Sequence, residues 1–353
     1  MRGLPDMEQL YADLAVEASG TQQELAFFVP SNVRLPARFD IEANINGSMQ
    51  DLSAQLALNS TLGNLTAEAV KNGERYILDA DINNLAVGYI LADTSLGAIT
   101  AQVHVEGQGL DIERDLLAEL RLEVQQAVYN GYPYQNLIVD GTIRQQSFVG
   151  DIEMEDPNLT FEAQADLNFN RPRPTYKVLM DLDVLNLRAL NLMTDTLVVQ
   201  TQLALEGQGI ALDSLEAHLV LEDLFILKSE NRIPITYVNL NAQTTGDSTT
   251  LHLDSDWANA DLVGRFAIDQ LPAIIQQHLD HYFDFLPEDT PLAELPPASF
   301  AFSLGVNNRK EVLQLLVPGL EVFELDTLYG SYNSQQAQIN LVADIPQINY
   351  QSQ

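Results

Sequence analysis

One motif, written twice, constrains this chain more than any other feature: "VHVEGQGL" at 103–110 and "LALEGQGI" at 203–210 place Glu106 and Glu206 at 206 − 106 = 100 residues apart. A degenerate earlier copy, "LAVEASG", begins at Leu14 and puts Glu17 in the same place. Further anchors follow each copy in one order, which is the mark of an internal repeat. They are the prolines Pro36, Pro133 and Pro234, then the asparagines Asn64, Asn158 and Asn259, then the tyrosines Tyr76 and Tyr176, again 176 − 76 = 100 apart. The chain is read as repeats of about 100 residues, divided as 1–75, 76–175, 176–289 and 290–353.

Within each repeat the apolar residues alternate. Val199, Thr201, Leu203 and Leu205 share one strand face, opposite Gln200, Gln202, Ala204 and Glu206. The copy before repeats this with Ala101, Val103 and Val105 against Gln102, His104 and Glu106, and Leu120 with Leu122 answers Leu219 with Leu221 beyond the glycines. A period of two belongs to half-buried antiparallel strands. The expectation is an all-β, antiparallel and elongated sheet with one or two short amphipathic helices, in strands of about five to nine residues. Its apolar lining is assigned to Val103, Val105, Leu120, Leu122, Leu203, Leu205, Leu219 and Leu221, with Gln102, Glu119, Gln202 and Glu222 facing water. In "EGQG" the glutamate ends a solvent face, and the glycines supply positive φ for the connection. The clear helix is 271–286, where Leu271, Ile274, Ile275, Leu279, Tyr282 and Leu286 form a stripe opposite Gln276, Gln277, Asp280 and Asp284. A shorter one is read at 311–317, and four prolines in 287–298 mark a linker.

Charge removes whole classes of partner. Fifty acidic residues against 17 basic give −33, which excludes nucleic acid, since no basic cluster exists to displace phosphate counterions, and disfavours an anionic lipid surface. Zero cysteines remove disulfides and thiol chemistry. No apolar run approaches the roughly 18 residues of a membrane span, so the chain is read as soluble and as a section of something longer. His278 and His281, with Asp280 and Asp284, are the nearest approach to a metal site, and they lack a third ligand of definite spacing. Asp79/Asp81, Asp181/Asp183 and Asp254/Asp256 have strand spacing, which displays carboxylates to water and does not wrap them round a cation. No phosphate loop, nucleophile elbow or acid/base constellation is legible. No catalytic residue, no metal ligand and no cofactor is assigned.

The runs "LDVLNLRALNLMTDTLVVQTQLALEGQGIALDSLEAHLVLEDLFIL" and "SDWANADLVGRFAIDQLPAIIQQHLDHYF", with the later "FAFSLGVNNRKEVLQLLVPGLEVFELDTLYGSYNS", resemble the AsmA-like envelope bridge family, in the Bacteroidetes-type form of its TamB (translocation and assembly module subunit) branch. The resemblance covers nearly the whole chain and points to a middle section. It implies a U-shaped, solenoid-like β-sheet, a β-taco whose apolar groove carries phospholipid acyl chains between inner and outer membranes. It also implies a periplasmic location, an inner-membrane anchor helix outside this chain, and an outer-membrane partner of the Omp85 type (TamA- or BamA-like) reached through regions outside it. Two alternatives stay open: a periplasmic scaffold for outer-membrane protein translocation and assembly, and an acidic surface adhesin built of β-sandwich domains.

Overall fold

Alternation sustained through nearly every segment, with short Asn/Gly turns between, produces strands in close succession. The computed structural model describes residues 11–21, 34, 36–48, 50–169, 173–209, 215–228, 231–271, 273–274, 296–307, 312, 320–336 and 338–350. The strands are β1 (Tyr11–Thr21), β2 (Arg38–Ser48), β3 (Asp51–Ser60), β4 (Gly63–Asn72), β5 (Arg75–Leu85), β6 (Leu96–Gln108), β7 (Leu117–Tyr129), β8 (Tyr132–Arg144), β9 (Ser147–Asp156) and β10 (Leu159–Asn168). There follow β11 (Thr175–Asn186), β12 (Leu197–Gln208), β13 (Glu216–Lys228), β14 (Asn231–Thr245), β15 (Ser248–Ser255), β16 (Ala258–Arg265), β17 (Ser299–Val306), β18 (Leu320–Asn333), β19 (Gln338–Asp344) and β20 (Gln347–Tyr350). Helix among the described residues is confined to α1 (Val87–Leu91), the 3-10 turn Ile268–Gln270, and Leu271, Ala273, Ile274 and Val312. Apart from these last four residues, the helices expected at 271–286 and 311–317 lie outside the described residues, as does the linker up to residue 295.

Two compact units are present: 1–170 with 180–196, and 171–179 with 197–353. In the first, each strand from β1 to β10 pairs antiparallel with the next. No described pairing returns β10 to β1, so this is an open meander and not a closed barrel. The second unit runs the same way from β12 to β19, and β20 pairs with the first half of β18 while β19 pairs with its second half.

Several strands are longer than alternation alone indicates, up to 15 residues in β14. In β13, of 13 residues, a bulge is one reason. Asp223, at φ 49, interrupts β13 where its register with β12 shifts. The extra residue restores the phase, so that Leu224 packs with Ile233, Ile235 and the partly buried Leu221 and Val238 in one cluster. Strict period two breaks there, and a short-window reading ends the strand too early.

The repeated glycines divide the labour of the motif. Gly109 and Gly209 have φ of 71 and 78 and donate their N–H groups to the carbonyls of Glu74 and Pro174, again 100 residues apart, as a left-handed connection requires. Gly107 and Gly207 do something else, which corrects the expectation of positive φ at both. They lie inside β6 and β12, and a Cβ on Gly107 would sit 2.7 Å from Tyr76 Oη. One on Gly207 would sit 2.6 Å from Tyr176 Oη and 2.5 Å from the Glu216 carbonyl oxygen. Each repeat thus sets the hydroxyl end of a tyrosine over a glycine. We expect Gly207→Val to destabilise the second unit by about 2–3 kcal/mol through overpacking. Urea unfolding checks this, and adding Tyr176→Ala should recover only part of the loss, because the Glu216 carbonyl remains in the way.

Candidate apolar binding face

Residues opposed in antiparallel register share a face, so the pairings can be followed across each sheet as rows. One row of the first unit runs Leu14, Ile45, Ala54, Ala69, Leu78, Val105, Leu120, Gly141, Gly150, Ala165, apolar at every one of its ten strands. The next, from Val16 through Val103 and Leu122 to Ala163, and the one beyond, from Ala18 through Ala101 and Val124 to Phe161, are apolar throughout as well. In the second unit the row Leu205, Leu219, Leu240, Leu253, Ala260, Leu304, Leu328, Ala343 crosses eight strands without a polar residue.

The eight residues assigned from sequence all stand on these faces. Val103 opposes Leu122 and Val105 opposes Leu120. Leu203 opposes Leu221 and Leu205 opposes Leu219. All eight are half-buried, whereas Gln102, Glu119, Gln202 and Glu222 are exposed on the other side. The contrast within β4, half-buried and exposed at alternate residues along its whole length, is that of a sheet whose apolar side is only partly screened from solvent. A packed core would leave that side fully buried. Where the sheet runs out the screening falls further: Leu14 on β1 is 50% exposed and Leu341 on β19 is 54% exposed.

In the second unit, residues from outside the strands screen part of the face. Ile274 packs with Phe266, Ala298 and Phe300, against Leu262, Phe302 and Tyr332 of the apolar face. Val312 packs with Leu224, Ile233 and Ile235, beside Trp257. Under Ile274 lies an apolar cavity of about 510 Å³, walled by Leu262, Phe302, Leu328, Tyr332 and Leu341 among others. Its volume falls within the usual range for small-molecule pockets. No family model, curated protein or solved structure matches this chain.

The tyrosines on this side carry the electrostatic consequence of the apolar surroundings. Burial pushes the hydroxyls of Tyr76, Tyr176 and Tyr332 above the ordinary tyrosine range. It does the same for Tyr132, assisted by a hydrogen bond to Asp156. These groups therefore stay neutral, able to donate and to accept. On the opposite face the charges pair across strands. His104 Nδ1 lies 2.6 Å from Asp79 Oδ1, His252 Nδ1 lies 2.6 Å from Asp261 Oδ1, and Gln102 donates to Asp81. Being exposed, such pairs add little stability. Among the described residues no three His, Cys, Asp or Glu side chains converge as metal ligands do, and no helix is long and apolar enough to cross a membrane. His278 and His281 lie outside the described residues.

Sequence reading missed the cavity and the tyrosine-on-glycine contacts. Tyr76 and Tyr176 stood out as repeat anchors, and their parity places them on the face of Leu78 and Val178. What was invisible is the register that sets each of them beside a glycine.

Proposed function

We propose that this chain is a lipid-handling β-groove, a section of an AsmA-like periplasmic bridge that holds phospholipid acyl chains on its apolar face and lets them move between inner and outer membranes. The observation that carries the reading is the unbroken run of apolar rows across ten strands in one unit and across eight in the other, left half-exposed. A face of that breadth in water is stabilised by any hydrocarbon that covers it, at about 0.8 kcal/mol per buried methylene. Curved into a U, the same face makes a conduit that binds tails without discriminating among them. The reading gives the chain no catalytic step and no cofactor. Neighbour-to-neighbour pairing from β1 to β10 and from β12 to β19 is a meander, which speaks against the crossed connections of a sandwich adhesin. Among the described residues β1 pairs only with β2 and β19 only with β18, and with Leu14 and Leu341 exposed this favours as second reading a scaffold that receives strands of outer-membrane proteins by edge addition, beside an Omp85-type partner.

Mass spectrometry of the chain purified from cells under native conditions checks the first reading. Phospholipid is expected to co-purify and to be released by detergent. A chain that emerges free of lipid, and fails to take up a tail-labelled phospholipid afterwards, sinks it.

A further inference from the structure

The cavity of the second unit differs in kind from the open rows around it. From β16 to β19 three adjacent rows run Phe300, Tyr332, Ile339, then Leu262, Phe302, Gly330, Leu341, then Ala260, Leu304, Leu328, Ala343. The middle row has no side chain at Gly330, and the far edge of the Phe302 ring reaches into that place, its Cζ 2.9 Å from where a Cβ would stand. Above this low point Ile274, 4% exposed, packs in one cluster with Phe266 and Phe300. Between them lies the space of about 510 Å³, whose mouth is at β19, where Leu341 is exposed. The three rows carry no Asp, Glu, Lys or Arg. Ser303, which also borders the cavity, belongs to the outer parity and donates its hydroxyl to Asp261 there. An ion placed inside would give up its water for no partner. At about 30 Å³ for each water-sized group, the space takes roughly 17 of them, well short of a two-tailed phospholipid. Its walls favour rings. Phe300 stands 5.2 Å from Tyr332 and 6.2 Å from Phe302, with planes tilted by 40° and 58°. A further ring added to such a cluster gains about two- to tenfold in affinity beyond its buried area, and a saturated chain does not.

We infer that this cavity is a binding site for one uncharged, ring-bearing hydrophobe of about 17 non-hydrogen atoms, held between Ile274 and the Phe300, Phe302 and Tyr332 rings. The site stands on its own walls and goes beyond the lipid reading, which concerns the open rows. An enclosed space covers its occupant on both sides and admits one molecule, whereas an open row covers a tail on one side and admits several in succession.

Titration of the intact chain with N-phenyl-1-naphthylamine tests this, since the probe is uncharged, of about the right size and brightens in apolar surroundings. Saturation at one probe per chain is expected. Leu328→Trp, from inside the cavity, and Leu341→Trp, at its exposed mouth, should each weaken binding by about tenfold or more by filling the space. A urea midpoint shows that each variant is folded, and Leu341→Trp carries the test if Leu328→Trp is not. Val342→Trp, one residue on and exposed on the other face, should leave binding unchanged. Phe302→Leu should weaken the probe about fivefold while displacement by dodecanol, uncharged and saturated, stays as it was. Equal losses for both compounds would overturn the preference for rings. Several probes per chain, or an affinity that neither tryptophan lowers, would place the probe on the open rows and overturn the site. Failure of the probe to bind at all overturns it too, and leaves the phospholipid measurement to decide the lipid reading separately.

Discussion

Replacing Asp156 with alanine is expected to cost the first unit about 3–5 kcal/mol, more than any surface substitution. The carboxylate is 1% exposed and accepts three hydrogen bonds, from the Tyr132 hydroxyl at 2.6 Å, the Gln135 N–H at 3.1 Å and the Asn158 N–H at 2.8 Å. The network continues outward. Asn158 donates to the Tyr132 hydroxyl and accepts from Asn186, and the turn after β11 bonds back to the Asn130 carbonyl through Asn191. Within that turn Leu190 is fully buried. Alanine removes the acceptor and leaves three donors without partners, each costing about 1–3 kcal/mol where water cannot replace it. Asp156→Asn keeps one carbonyl oxygen but turns an amide toward a donor, so its loss should be intermediate. Urea unfolding followed by tyrosine fluorescence measures both. A change under about 1 kcal/mol for the alanine variant would show that this rim is held by packing alone.

The apolar face was legible because a strand leaves its mark every second residue, and parity survives without knowledge of partners. Val103 and Leu122 could be placed on one side before their pairing was known. The repeat was legible for a similar reason, since Tyr76, Glu106 and Gly109 keep their order at Tyr176, Glu206 and Gly209. What parity cannot supply is register. Tyr76 and Gly107 are 107 − 76 = 31 residues apart, and only the β5–β6 pairing makes them neighbours. Parity and composition alone therefore make Gly107 a turn residue. Bulges hide in the same way: Asp223 breaks the alternation locally while keeping the apolar side continuous. The cavity is the least legible feature, because Ile274, Phe302 and Leu341 converge from three segments whose spacing carries no period.

Leu203→Asp is expected to abolish lipid contact around its site while leaving the fold intact, and Gln202→Asp to do neither. Leu203 is half-buried and opposes Leu221, so an aspartate there stands on the apolar side with access to water. In a closed core an ionised carboxylate costs several kcal/mol and unfolds its surroundings, but on a half-exposed face it keeps much of its hydration. The loss of stability should be nearer the lower end of the 2–5 kcal/mol typical of leucine truncation. A tail crossing that position meets a hydrated charge, and three methylenes held off the surface forfeit about 2.4 kcal/mol, a factor of about fifty. Gln202 points the other way, opposite Glu222; the same added charge there costs at most about 1 kcal/mol from like-charge proximity and touches no lipid. The readout is labelling of Leu205, Leu219 and Leu240 by a tail-diazirine phospholipid, alongside a urea midpoint for each variant. If Leu203→Asp folds and its neighbours are labelled as strongly as in the unaltered chain, tails do not run along this face, and the strand-receiving scaffold becomes the better reading.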